Sequence, residues 1–399
     1  VSGPLEGIRV LEVTSVVLGP WAAQVLGDLG ADVIKIEPPS GDTTRHIGPA
    51  RNPGMASMFL GSNRNKRSLV LDLKQPDGLE VLLTMCESAD VLLHNLRPAA
   101  AERLGLDYAA VAARRADIVY CGTYGYRADG PFADYPAYDD IVQAASGVAV
   151  LQQMAGHEPH YMPSVVADKT TALTVVYAVI AALFHRLRTG EGQAVEVPMF
   201  ETMVSYLMVE HLFGQSFEPP LGDAGYSRVL SPFRRPYKTR DGYIAVLPHT
   251  DAHWRSFLQT IGREELLRQE RYATVAARTR HIDALYEELS VIMQQRTTAE
   301  WLDLLDPAAL PVTALNGPAD LLTHPQLQAT DFWQRLDHPS EGAIRMPDQP
   351  VGFARTAGGI RRPPPRLGEH SIELLREAGL SQAQIDALMA AGVTSSADG

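Results

Sequence analysis

Asp168 stands at the head of a long apolar run in "PSVVADKTTALTVVYAVIAALFHRL", residues 163 to 187. A carboxylate in that place has two accounts. It can cap the helix that the run predicts, since Asp accepts from free N–H groups and gains from the positive end of the helix dipole. It can equally serve as a nucleophile, being ionised, held in place and exposed at an element's edge. Lys169 does not neutralise it, because adjacent residues of a helix point to different sides. A second cluster, "NRNKRS" at residues 63 to 68, packs three positive charges into six residues. It reads either as a solvated loop or as an anion site where guanidinium and ammonium groups meet phosphate. Lys74, Arg97 and Arg103 add positive charge near expected strand ends, where doubly wound sheets bind their ligands.

Several chemistries are absent as patterns. The sequence holds no G-x-x-x-x-G-K-[ST], G-x-S-x-G or H-E-x-x-H, which removes the usual signatures of nucleotide-triphosphate, serine-hydrolase and zinc-protease sites. Glu37 ends the second expected strand, where a ribose-binding acid would sit. The preceding turn "TSVVLGPWAAQ" nevertheless lacks the glycines that clasp a pyrophosphate, so no nicotinamide cofactor is expected. His157-Glu158-Pro159-His160 offers two imidazoles without a third ligand and reads as a polar surface loop, so no metal is expected. Cys86 and Cys121 form neither a disulfide framework nor a metal-ligand spacing, which favours a reducing, cytoplasmic compartment.

The 399 residues carry a net charge of −12, with 45% apolar and 21% charged residues. That balance suits a globular protein and argues against broad nucleic-acid binding, while leaving room for a small anion at a local basic cluster. No basic segment followed by a short apolar one opens the sequence, so no secretory signal is expected. The longest apolar run, Ala172 to Phe184, is 13 residues. As a helix it spans roughly 20 Å against the ~30 Å of a bilayer core, which predicts a buried core helix and no membrane contact. Disorder is expected only in "VTSSADG", residues 393 to 399.

The first half alternates strand-like runs ("IRVLEV", "DVIKIE", "SLVLDL", "DVLLHN", "DIVYCG") with helix-like ones, among them "PDGLEVLLTMCESA", which Pro76 starts. The alternation predicts an α/β fold with a mainly parallel sheet covered on both faces. "QAVEVPM" adds a strand after the apolar helix, and "FETMVSYLMVEHLFG" a helix. A Pro/Gly-rich connector follows, then a hairpin around Asp241-Gly242 and mostly helices, one opened by the capping box Thr297-x-x-Glu300. A second irregular stretch from Pro339 leads to two short helices, the last capped by Ser381-x-x-Gln384.

The ordered blocks "PLEGIRVLEVTSVVLGPWAAQVLGDLGADVIKIEPPSGDTTR", "NRNKRSLVLDLKQPDG", "DVLLHNLRPAAAERLGLDY", "AYDDIVQAASG", "HRLRTGEGQAVEVPMFE", "YKTRDGYIAV" and "PPPRLGEHS" resemble the class III CoA-transferases, the CaiB/BaiF family, over nearly the whole chain. The resemblance implies a Rossmann-like large domain with an inserted smaller α+β domain, and an interlocked, ring-like homodimer. Domains are then expected at 1–214 (large, CoA-binding), 215–225 (linker), 226–338 (small) and 339–399 (linker and helices returning to the large domain). It implies Asp168 as nucleophile and CoA contacts at Val16, Val17, Leu18, Leu71, Asp72, Leu73, Lys74, Asn95, Leu96, Arg97, Arg103, Pro136, Ala137, Tyr138 and Asp139. Arg45 and the 63–68 cluster fall in matching blocks and are expected to help hold phosphates.

The implied activity is acyl-CoA:carboxylate CoA transfer between small organic acids through a covalent aspartyl intermediate. Coenzyme A or acyl-CoA is then a substrate, and no tightly bound cofactor is expected. An aspartate with an ordinary pKa of about 3.9 is ionised near neutrality, so positioning and oxyanion donors must supply most of the acceleration. Racemase relatives carry His-Asp where this chain has Tyr138-Asp139, which resembles the succinate/glutarate-type transferases instead. Formyl-CoA transferase has a glycine-run loop that "PPLGDAGYSRV" lacks, and basic residues where Pro38 and Pro136 stand. An acyl-CoA racemase or epimerase and a non-catalytic CoA-binding protein are the alternatives. Arg228, Arg234 and Arg235 read either as exposed linker charge or as a grip on a second carboxylate.

Overall fold

A computed structural model describes residues 3–306 and 309–397. Six parallel strands form its main sheet: β1 (Arg9–Val13), β2 (Asp32–Glu37), β3 (Lys66–Val70), β4 (Val91–His94), β5 (Val119–Tyr124) and β6 (Gln193–Pro198). Their order is β3-β2-β1-β4-β5-β6: the parallel sheet is what the alternation predicts, and its Rossmann-like order is what the family resemblance implies. Leu11, Ile34 and Leu92 point to one face and Val10, Val33 and Leu93 to the other, and all six are buried. Burial on both faces is why the central strands β1, β2 and β4 read as largely apolar runs. The order reverses between β1 and β4, which opens a crevice at the C-terminal ends of those strands.

The helices that matter to this crevice are α1 (Leu18–Asp28), α2 (Pro76–Cys86), α3 (Pro98–Leu104), α4 (Tyr108–Arg114), α5 (Asp139–Ala145) and α6 (Val166–Thr189), joined later by α7 (Ser371–Glu377) and α8 (Gln382–Ala390). Pro76 and Pro98 open α2 and α3, where a missing N–H costs nothing. Asp107 caps α4, and Ser381 with Gln384 makes the expected capping box on α8. Val81 and Leu82 from α2 pack with Leu374, Ile385 and Leu388 from α7 and α8 over Leu11, Ile34 and Leu92. α1 packs against α6.

The chain divides into two compact units. The first comprises Val1–Ser146, Met162–Tyr206 and Ala329–Gly399; the second comprises Gly147–Tyr161 and Leu207–Gln328. The second thus takes in 147–161 and 207–225, which the sequence placed in the large domain and linker, and leaves 329–338 to the first. It is built on an antiparallel sheet of β7 (Tyr237–Lys238), β8 (Tyr243–Val246) and β9 (Val312–Ala314). The hairpin around Asp241-Gly242 and the Thr297–Glu300 capping box both form. Trp254, Phe257, Tyr286 and Trp301 anchor its core.

Four expectations change. β3 starts two residues before "SLVLDL", because Lys66 and Arg67 are themselves buried strand residues. β10 (Trp333–His338), just ahead of the stretch read as irregular, pairs antiparallel with β11 (Gly342–Pro347) inside it. Val393 and Thr394 are buried rather than disordered: Asp72 N–H donates to Val393 O (2.8 Å) and Thr394 Oγ1 to Val70 O (2.7 Å). The expected tail's residues 398 and 399 lie outside the described residues. Finally, α6 is 24 residues, long and apolar enough to cross a membrane, and is buried along one face only. Leu173, Tyr177, Phe184 and Leu187 stay exposed along its length.

Candidate active site

A cavity of about 690 Å³ occupies the crevice that strand order requires. Its wall comes from the segments after β1 (Thr14, Ser15), β2 (Pro38, Gly41), β3 (Asp72 to Lys74) and β4 (Asn95, Leu96), closed by α3 through Ala100, Arg103 and Leu104. Two backbone features shape it. Val16 holds φ at +74°, a left-handed conformation that is strained for a β-branched residue. Its N–H reaches Asp42 Oδ1 at 3.3 Å. Gly19 lets α1 approach the strand end closely, since a Cβ there would lie 2.3 Å from the Thr14 side chain.

Beneath this wall lies a network of buried charges. Lys35 Nζ meets Glu12 Oε1 and Asp42 Oδ2, both at 3.0 Å, and Lys66 Nζ meets Glu12 Oε2 at 2.8 Å. Burial pushes the Glu12 carboxyl up, but Lys35 and Lys66 outweigh it and hold that group below its usual range. Lys35 is pushed the other way by burial, yet its carboxylate neighbours raise it to about 12. Lys66, which meets one carboxylate where Lys35 meets two, is pulled down to about 8 by burial, with the Lys35 charge acting the same way. Glu37 accepts from Arg45 Nε (2.8 Å) and Nη2 (2.7 Å), Ser68 Oγ (2.8 Å) and Asp42 N–H (3.1 Å). Its lone pairs are therefore filled, with none left for a ribose.

That network corrects the phosphate readings at Arg45 and residues 63–68. Arg45 is 1% exposed and committed to Glu37 and the Pro365 carbonyl. Arg64 pairs with Asp28 at 2.8 Å, and Arg67 with Asp32, Glu373 and Glu377 at 2.6–2.8 Å. These charges are structural, and they offer no free guanidinium to an anion. Of the other expected contacts, Leu71, Asp72, Leu73, Lys74, Asn95, Leu96 and Arg103 share the cavity wall. Val16, Val17 and Leu18 follow directly on its Ser15 edge without lining it. Arg97 lies outside it and donates to Asp134 O at 2.6 Å. Pro136 and Tyr138 are exposed, Ala137 is half-buried, and Asp139 belongs to a different constellation.

That constellation surrounds Asp168, which is 8% exposed in the first turn of α6 and is not part of the cavity wall. Asp168 does not cap its helix: Val165 occupies the N-cap and has no side-chain acceptor. The capping is done from another element, because Asp168 N–H donates to Asp139 Oδ1 at 3.0 Å. Gln143, fully buried one turn along α5, fixes Asp139 by donating to its Oδ2 at 2.6 Å and accepts from Met162 N–H at 2.8 Å. The Asp168 carboxylate is thereby released from capping, and none of the hydrogen bonds described reaches it. Burial, and then the neighbouring Asp139 charge, push its pKa up to about 7, with Lys169 pulling weakly downward. The expectation of an ordinarily ionised aspartate is corrected accordingly. Such a group is a desolvated oxygen nucleophile when ionised and an uncharged side chain when protonated or acylated.

Gln143 was not singled out from the sequence; its only signal is the four-residue spacing from Asp139 on a helix. His157 and His160 lie in an exposed loop, and no group of three or more His, Cys, Asp or Glu among the described residues is placed to hold a metal.

A family model described as CoA-transferase family III matches residues 5–371. The chain is 32% identical to a succinate–glutarate CoA-transferase of Agrobacterium fabrum over 94% of its own length and 95% of that protein's. It is 30% identical to a succinyl-CoA:glutarate CoA-transferase of Homo sapiens, covering 98% of the chain and 90% of the relative. A crystal structure of a CaiB/BaiF family protein from Brucella suis superposes with a TM-score of 0.80 at 29% identity, covering 95% of this chain and 100% of that one.

Proposed function

We propose, since the chain belongs to CoA-transferase family III, that Asp168 is the group through which this transferase moves CoA between small carboxylic acids. The observation that carries the proposal is a buried carboxylate with no hydrogen-bond partner among the described residues, set beside a second carboxylate. An ionised Asp168 oxygen attacks the thioester carbonyl of a donor acyl-CoA; the C–S bond breaks, giving an acyl-aspartyl anhydride and CoA thiolate. The thiolate then attacks the aspartyl carbonyl, releasing the donor acid and leaving an aspartyl–CoA thioester. An acceptor carboxylate reverses these two steps. Both covalent forms of Asp168 are uncharged. The burial and the Asp139 charge that disfavour the free carboxylate therefore favour acylation. CoA is a substrate, held in part by the cavity at the strand ends, with Lys74 and Arg103 available to its phosphates.

The acids are small dicarboxylates in this reading, after the relatives named for succinate and glutarate. We assign the protein to the cytoplasm, where Cys86 and Cys121, both buried and free, stay reduced. We also assign it to a homodimer in which a second copy, rather than lipid, covers Tyr177, Phe184 and Leu187 of α6. The test is covalent capture: incubation with succinyl-CoA, digestion and mass analysis place the acyl or CoA adduct on the Asp168 peptide. Asp168→Ala is expected to lose the adduct and roughly a thousandfold or more in turnover. An adduct on another peptide, or turnover that survives the substitution, overturns the assignment.

A further inference from the structure

Arginines in the second unit fall into two groups. Arg240, Arg263, Arg271 and Arg278 each pair with a carboxylate. Arg228, Arg234, Arg235, Arg255, Arg268, Arg280 and Arg296 form no ion pair among the described residues. What distinguishes Arg234 and Arg235 is their place on a cavity wall. Arg234 and Arg235 line a cavity of about 560 Å³. Its inner side is formed by Tyr237 and Tyr286, 3% and 1% exposed, and its flanks by apolar residues including Val246 and Val312. Arg228 Nε donates to Tyr286 Oη at 3.1 Å, so that hydroxyl keeps its own proton for a further acceptor. Tyr237 shares that lining with Arg234 and Arg235; burial and then Tyr286 make its hydroxyl less acidic, and the two arginines act the other way. The result is an anion-seeking edge above a short apolar wall.

We propose that this cavity binds a carboxylate of the small aliphatic acid on which the transferase acts, with Arg234 and Arg235 as the charged grip and the Tyr286 hydroxyl as a neutral donor. The inference rests on the CoA-transfer reading for the identity of the acid. Apolar flanks suit a carboxylate on a short hydrocarbon better than a nucleotide phosphate, which would bring more charge and hydration against Val246 and Val312. Since a carboxylate and a phosphate share oxyanion chemistry, the experiment separates them.

Phenylglyoxal, which modifies free guanidinium groups, is applied to the full chain alone, with glutarate, with dimethyl glutarate, and with adenosine 3′,5′-bisphosphate as the phosphate end of CoA. Mass analysis then follows the peptide carrying Arg234 and Arg235. Glutarate is expected to slow modification at least fivefold, while the neutral ester and the bisphosphate leave it unchanged. In the same protein treated with succinyl-CoA, the Asp168 peptide reports the nucleophile separately, so either reading can fail alone. The double variant Arg234→Ala/Arg235→Ala is expected to weaken glutarate binding in an equilibrium titration about tenfold or more, as loss of charge-assisted hydrogen bonds requires, without a matching loss for acyl-CoA. The variant Tyr286→Phe is expected to give a smaller loss of the same kind. Equal protection by the bisphosphate, no protection by glutarate, or unchanged glutarate affinity in the double variant overturns the proposal.

Discussion

Glu12 and Asp168 are both buried carboxylates of the first unit, and they are treated in opposite ways. Glu12, with no exposure, accepts from Thr14 Oγ1 at 2.7 Å and sits between two ammonium groups, which hold its pKa below the usual range. Asp168 has no cation in contact and faces a like charge, and its pKa rises to about 7. A structural charge in this protein is neutralised on several sides. The charge we assign to chemistry is left unneutralised, held at a higher free energy that the proposed covalent bond to acyl or CoA would relieve.

The comparison breaks most visibly at Glu12. Glu12→Gln strands Lys66 without its counter-ion and is expected to cost about 3–5 kcal/mol, read as a lowered urea or thermal midpoint. A loss under about 1 kcal/mol would mean that Lys66 simply deprotonates, removing the contrast with Asp168. Next comes stability against pH. Because the folded-state pKa of Asp168 is raised from 3.8 to about 7, the native protein holds that proton where the unfolded chain has lost it. The stabilisation is complete below about pH 4 and disappears as pH rises through 7. Freshly prepared Asp168→Asn should therefore equal the wild type near pH 4 and exceed it by roughly 2–4 kcal/mol at pH 8. Parallel pH curves for the two proteins would deny the shift. The smallest effect sharpens the comparison. Asp139→Asn keeps an acceptor for the Asp168 N–H but removes the like charge. The acid limb of the pH–rate profile should then move to lower pH, while burial, the larger cause, still holds it above the ordinary carboxylate range. An unmoved limb would show that Asp139 acts on Asp168 through geometry alone.

All six parallel strands were legible: double-sided burial writes the central ones as apolar runs, and the edge strand β6 as the alternating "QAVEVP". The charges inside those runs were the illegible part. Glu12 in "VLEV", Lys35 in "VIKIE" and Lys66 in "NKRS" look like surface alternation until strand pairing puts them side by side. Arg67 read as a local basic cluster because its partner Glu377 lies 310 residues away. The candidate nucleophile's identity came with the family resemblance. Its release from capping did not, because Asp139 reaches the first turn of α6 from 29 residues earlier. β10 was missed because its apolar residues Trp333 and Leu336 stand three apart instead of alternating, and β11 because Gly342 and Pro347 bound it.

One contact has a consequence for how the protein is made. The loop from Asp72 to Lys74 forms part of the cavity wall, and it is tied down by Val393 and by the Thr394–Val70 bond across 324 residues. A ribosome that has translated every strand of the parallel sheet has still not delivered that brace, nor α7 and α8, which cover the sheet beside it. The lip of the proposed CoA cavity is therefore completed only after residue 394 has emerged, late in synthesis rather than with the sheet itself.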